Sequence, residues 1–232
     1  SIEQSKDKPG KLIFICPKNK DFEDFFSKWE CPKETTHSII YNENKTDFCS
    51  QINLGVASVD TEYFSILEHD DEYSNIWFNQ FNTYVEHYPD VDVFFPLVVD
   101  TDANGQFIAL WAMGFSEEMG YLDNNTLLRY QNFQVSGMIM KKEKFEDIGG
   151  LKPSIRLTFN YEFLLRATYN DAIIMTVPKV GYKHTNQRPN SLFWNYKFIE
   201  NQKLSQEEAK FWIETAKKEY FFTTDRDIVY EN

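Results

Sequence analysis

Cations are in short supply in this sequence. Lysine and arginine number 24 against 36 aspartates and glutamates, so the 232-residue chain carries a net charge of −12. A polyanion would be repelled unless the few positive side chains were gathered on one face, which disfavours a nucleic-acid partner. Cysteine is also scarce: Cys16, Cys31 and Cys49 are odd in number and lack metal-ligand spacing, so they read as reduced thiols of a cytoplasmic protein. No apolar run approaches the roughly 18 residues of a membrane helix. Even the stretch from Val91 to Val99 holds Asp92 and Pro96. Nothing at the N-terminus reads as a signal peptide, and the chain has no internal repeat or low-complexity segment.

What is present is a globular composition, 42% hydrophobic and 26% charged, in a length that one core can support. The expectation is a single domain over residues 1–232. Short β-rich runs alternate with helical patterns. Lys11 opens a strand that Pro17 closes, and Phe22, Phe25, Phe26 and Trp29 follow at i, i+3, i+4, i+7. Ser38–Tyr41 and Tyr63–Leu67 are further strands that run into polar loops, which is where open α/β sheets place ligands. Residues 74–88 form a helix that Pro89 stops. The runs Asp92–Val99 and Phe107–Leu110 flank Asn104-Gly105, a hairpin signal that makes the sheet mixed. Met138–Met140 reads as a strand and Lys141–Ile148 as a helix ended by Gly149-Gly150. Tyr161–Thr168 is helical, and Ala172–Val177 and Val180–His184 are extended. A capping box at Ser205–Glu208 starts a tail helix with Ala209, Trp212, Ile213, Ala216 and Tyr220 on one stripe.

The densest chemistry lies in Glu68-His69-Asp70-Asp71-Glu72, four carboxylates in five residues at the end of a strand. Acidic side chains at i and i+2 of an extended segment project to one side. That arrangement can offer oxygen ligands to Mg²⁺ or Mn²⁺ and leave positions open for phosphate oxygens.

The segment Asn53–Asp71 resembles the N-x-G…A-x-G-E-Y-I-x-F-L-D-x-D-D stretch of family 2 glycosyltransferases with the GT-A fold, Glu68-x-Asp70 standing at the D-x-D. Ile40–Asp47 is similar to that family's V-V-D-D-G-S-T-D, with Asn42 and Glu43 at the acidic pair. Ser136–Leu151 resembles the segment before the acceptor-side motif. Phe159–Arg166 resembles E-D-Y-E-L-x-L-R, and Tyr182-Lys183-His184 through Ser191 resembles Y-R-x-H and the loop after it. These pieces keep the family's order from about Leu12 to Ser191.

The resemblance implies an α/β fold of GT-A (Rossmann-like) type, a mixed, mostly parallel sheet flanked by helices. A nucleotide-sugar-binding half would span 11–100 and an acceptor half 101–192, with a C-terminal helical tail over 193–232. It implies transfer of one sugar from a nucleoside-diphosphate sugar to a glycan or small hydroxyl acceptor, with inversion. Mn²⁺ or Mg²⁺ would be held by Glu68, Asp70 and His184. Glu68 would also reach the ribose, Pro17, Asn42 and Glu43 would border the nucleoside, and Lys183 and Arg188 would add positive charge. The processive Q-x-x-R-W signature is absent. At the family's base the chain has Asn160, which cannot accept a proton, so Glu162 is the expected substitute. The alternative is a catalytically weak sugar-nucleotide or carbohydrate-binding protein, with Trp111, Phe193, Trp194 and Tyr196 stacking on sugars.

Overall fold

A computed structural model describes residues 1–44, 47–111, 134–155 and 158–186, the backbone at 121–122, and scattered positions between 203 and 214. Strands β1 (Lys11–Cys16) and β2 (Thr36–Tyr41) pair in parallel, in register from Lys11↔Thr36 to Cys16↔Tyr41. Helix α1 (Lys20–Lys28) connects them, with Asn19 capping its start by accepting the Phe22 N–H. The helical spacing read from the aromatics is correct, but the face is only half used. Phe26 and Trp29 meet Phe14 edge-on at 4.9 and 5.2 Å, whereas Phe22 and Phe25 remain exposed. Helix α2 (Phe48–Ala57), which the sequence reading did not identify, is capped by Asp47 accepting the Ser50 N–H.

The larger sheet has the order β3 (Tyr63–Ser65), β8 (Ile139–Lys141), β5 (Val93–Thr101), β9 (Ile174–Thr185), β4 (Glu72–Tyr73). Beside it, β6 (Phe107–Trp111) pairs with β5 and β7 (Tyr121–Leu122) with β9. The sheet is mixed, as expected from the hairpin, but among the described residues its parallel pairing is confined to β5–β9, with β1–β2 the other parallel pair; the remaining described pairs are antiparallel. The two extended runs either side of Lys179 are one strand, since β9 follows β5 through its register shifts rather than breaking. Between β5 and β6, Asp102 Oδ1 accepts the N–H groups of Asn104 and Gln106 while Gly105 takes φ +78°.

The strands alternate their side chains between two cores. Val93, Phe95, Met138 and Met140 enter one, with Phe163, Leu164 and Leu165 of α5 (Phe159–Tyr169) and Phe145 of α4 (Lys142–Asp147). Phe94, Ile139, Val177 and Tyr182 enter the other, against Trp77 and Phe81 of α3 (Trp77–His87). Each such buried side chain contributes about 1.5–3 kcal/mol. Among the described residues no helix is long and apolar enough to cross a membrane. The striped tail residues Ala209, Trp212, Ile213, Ala216 and Tyr220 lie outside the described residues, as do Phe193, Trp194 and Tyr196.

Candidate functional site

The loop leaving β3 and the last residues of β9 meet. Thr185 of β9 donates its N–H to Asp71 Oδ1 at 2.9 Å and its hydroxyl to the Asp70 carbonyl at 2.9 Å. The adjoining His184 places Nδ1 at 3.2 and 3.1 Å from the two Asp71 oxygens. Because β9 lies parallel to β5, His184 sits opposite Asp100, a buried carboxylate that accepts Asn186 Nδ2 at 2.9 Å. Gln134 Nε2 stands 3.4 Å from His184 Nδ1.

Glu68 is held through both its backbone and its side chain. Its backbone N–H donates to the Tyr182 hydroxyl at 3.2 Å, and Ser136 Oγ donates to Glu68 Oε1 at 2.6 Å. Gly137 makes this possible. It holds φ +86°, and a Cβ there would lie 2.6 Å from the Tyr182 ring, so only glycine lets the Ser136 segment rest on that ring. Trp77 Nε1 fixes the same turn by donating to the Gly137 carbonyl at 3.0 Å.

The electrostatics follow from this gathering of acids. Burial pushes the Glu68 carboxyl above its ordinary range; the Ser136 hydrogen bond opposes the rise, and the charges of Asp71 and Asp70 add to it. For His184, burial works against the imidazolium but is outweighed by the hydrogen bond and charge of Asp71 and the charges of Glu68 and Asp100, so its pKa lies above the usual value. The carboxylates around His184 form an anionic group that favours a cation, while His69 places Nδ1 3.5 Å from Asp70 Oδ1.

Hard carboxylate oxygens with a single imidazole suit Mg²⁺ or Mn²⁺. Among the described residues no three His, Cys, Asp or Glu side chains are gathered closely enough to hold a metal by themselves.

Of the residues named from sequence, Glu68 lies near enough to His184 for its charge to act on the ring, whereas Asp70 is tied to this end of β9 through its backbone carbonyl and its side chain lies 3.5 Å from His69 Nδ1. Pro17, Asn42 and Glu43 form a second group at the carboxyl ends of β1 and β2, tied there by the Asn42 N–H donating to the Cys16 carbonyl at 3.0 Å. Lys183, expected beside the phosphates, alternates away from His184 and pairs with Glu72 at 3.2 Å. Arg188 lies outside the described residues. Asn160 stands in the first turn of α5.

The expectation that Glu162 takes a proton meets a physical obstacle. Glu162 and Arg166 are both fully buried, with Arg166 Nε 2.7 Å from Oε1 and Nη2 3.0 Å from Oε2. Arg166 also donates to the Ile148 and Gly150 carbonyls. Both carboxylate oxygens are therefore committed to a core ion pair.

Asp71, Asp100, Ser136 and Tyr182 were not singled out from sequence. For Ser136 and Tyr182 the available signal was their place in the segments that carry the family resemblance. For Asp100 it was a carboxylate ending an otherwise apolar strand.

No protein-family model and no curated protein sequence matches the chain. Solved structures do. TarS 1-349 of S. aureus in complex with UDP-GlcNAc superposes with a TM-score of 0.64 at 12% identity, covering 97% of this chain and 62% of that one. Its complex with UDP gives 0.61 at 12%, covering 92% and 58%. GalNAc-T7 with UDP, GalNAc and Mn²⁺ gives 0.54 at 13%, covering 90% and 48%. The chain thus has a GT-A-type glycosyltransferase fold and spans about three fifths of the TarS 1-349 chain it matches.

Proposed function

We propose that this chain binds a nucleoside-diphosphate sugar and transfers one sugar to a glycan or small hydroxyl acceptor, with inversion. The observation that carries the reading is the group of carboxylates, Glu68, Asp71 and Asp100, around His184, with Asp70 on the same loop, at strand ends of a fold whose solved examples include UDP-sugar complexes. Glu68, Asp70 and His184 would hold Mn²⁺ or Mg²⁺, which when bound supplies Lewis-acid stabilisation of the charge on the departing diphosphate.

The protein's own groups bind and orient. Ser136 and Tyr182 set the Glu68 loop, and the ends of β1 and β2, at Pro17, Asn42 and Glu43, border the nucleoside. The donor half spans 11–100, the acceptor half 101–192 and the tail 193–232. Three free thiols accord with a cytoplasmic setting.

One observation favours a second reading, that of a sugar-nucleotide-binding protein with little turnover. Asn160 is an amide where the family resemblance expects a base, and Glu162 is bound to Arg166. Calorimetric titration with UDP, with and without Mn²⁺, tests what the two readings share. Asp70→Asn is expected to weaken Mn²⁺-dependent UDP binding at least tenfold with the fold intact; unchanged, metal-independent binding would defeat the site. Release of GlcNAc from UDP-GlcNAc, or its transfer to an added acceptor, then separates enzyme from binder.

A further inference from the structure

Asp71 is the carboxylate that hydrogen-bonds His184, and the reading above gives it no ligand to hold. Its side chain is wholly inaccessible, whereas the His184 side chain retains 27% of its surface. Both Asp71 oxygens lie within 3.1–3.2 Å of His184 Nδ1, and Oδ1 also accepts the Thr185 N–H at 2.9 Å. That second bond pins the carboxylate to the backbone beside the ring, so Asp71 cannot swing away with the imidazole.

An ionised carboxylate only accepts hydrogen bonds, so the proton shared between Asp71 and His184 resides on Nδ1. A neutral imidazole has a single N–H, which leaves the lone pair on Nε2, on the edge of the ring away from Asp71. Gln134 stands at 3.4 Å from Nδ1, a longer contact than either Asp71 oxygen makes. The other groups that bear on the ring are Glu68 from the loop after β3 and Asp100 from β5.

We propose that Asp71 is a positioning residue that locks His184 as the Nδ1–H tautomer and fixes its ring, so that Nε2 offers its lone pair to the divalent cation of the nucleotide-sugar site. The identity of what Nε2 meets rests on the functional reading above. The tautomer does not.

The experiment is ¹⁵N NMR of the full chain, metal-free, at a pH where the imidazoles are neutral, with His184→Gln to assign the ring. His184 is expected to show a protonated Nδ1 and an unprotonated Nε2. Asp71→Ala is expected to move it toward the Nε2–H form that neutral histidine favours in water. A wild-type ring protonated on Nε2, or an Asp71→Ala ring still locked on Nδ1–H, would overturn the proposal. If the alanine variant does not fold, the wild-type spectrum still decides, and Asp71→Asn, which keeps the shape but weakens the acceptor, serves as the variant. The second arm is calorimetric titration with UDP and Mn²⁺, where loss of the orienting partner is expected to weaken binding 10–100-fold. Equal affinity in the variant would show that the lock has no bearing on the ligand. A wild-type protein that binds no UDP with Mn²⁺ would overturn the functional reading while the spectrum still judged the tautomer.

Discussion

Two buried ionic regions of this molecule are built from similar side chains and behave in opposite ways. In the first, Glu162 and Arg166 balance one negative charge with one positive, and the remaining guanidinium donors go to the carbonyls of Ile148 and Gly150. Asn53 secures the same turn from α2, giving its amide to the Leu151 carbonyl at 2.7 Å and taking the Leu151 N–H at 2.9 Å. In the second, Glu68, Asp71 and Asp100 bear on the partly exposed imidazole of His184, and Asp70 adds its charge to that of Glu68. A balanced and sealed pair holds the fold together. An unbalanced cluster that solvent reaches at the His184 ring leaves a charge deficit that a ligand can fill. The contrast explains why a Glu two residues past the expected base is not a substitute for it: its charge is already used.

The sharpest way to break the comparison is to unbalance the balanced region. Arg166→Met leaves the Glu162 carboxylate in the core without its partner and the Ile148 and Gly150 carbonyls without their donor, and is expected to cost about 3–5 kcal/mol, seen as a lower urea midpoint with unchanged slope. Asp70→Asn, on the rim of the other region, is expected to change stability by roughly 0.5 kcal/mol or less. Comparable losses in the two variants would mean that charge balance does not distinguish these regions.

Gly137→Ala probes the joint between fold and site. The substitution meets both a positive φ and the Tyr182 ring at 2.6 Å. Overpacking of this kind typically costs about 1–3 kcal/mol. Tyr182 also accepts the Glu68 N–H, so UDP–Mn²⁺ affinity should fall together with stability. Full affinity in a folded variant would detach Glu68 from this support.

Much of this was legible in the chain. The β1–α1–β2 unit, the β5–β6 hairpin, α3 and α4 follow from periodicity and turn residues, and the approach of the loop after β3 to the end of β9 agrees with the order of motifs. Helix α2 was hidden because Phe48–Ala57 contains Asn53 and Gly55 and has little apolar periodicity; a side-chain cap and tertiary packing form it instead. The direction of Lys183 was hidden because facing is set by pairing with β4 and β5. The fate of Glu162 was hidden because an i,i+4 Glu–Arg pair has the same sequence whether it lies in solvent or in a core. Burial belongs to the fold, and chemistry inferred from residue type alone cannot supply it.

The smallest effect expected lies in the pH dependence of the unbalanced region. Glu68 is held above its ordinary 4.5, by burial first, so the native state binds its proton more tightly than the unfolded chain does. Stability from this group is therefore present at acid pH and declines as pH rises from about 4.5 through the folded value. His184, above its ordinary 6.5, works in the same direction: its contribution is complete below 6.5 and is lost as pH rises through its folded value. In chelator-treated protein the two should make stability fall from the Glu range past the His range. The fall is expected to be the smallest of these effects, because solvent screens the partly exposed ring. Glu68→Gln should remove the lower part of the slope, because the amide can still accept from Ser136 but has no charge to place beside Asp71. His184→Gln should remove the upper part. Urea denaturation at half-unit intervals between pH 5 and 8 measures both. A wild-type stability that stays level or climbs over this range would show that the carboxylates are balanced by something other than His184, and the contrast between the two regions would have to be redrawn.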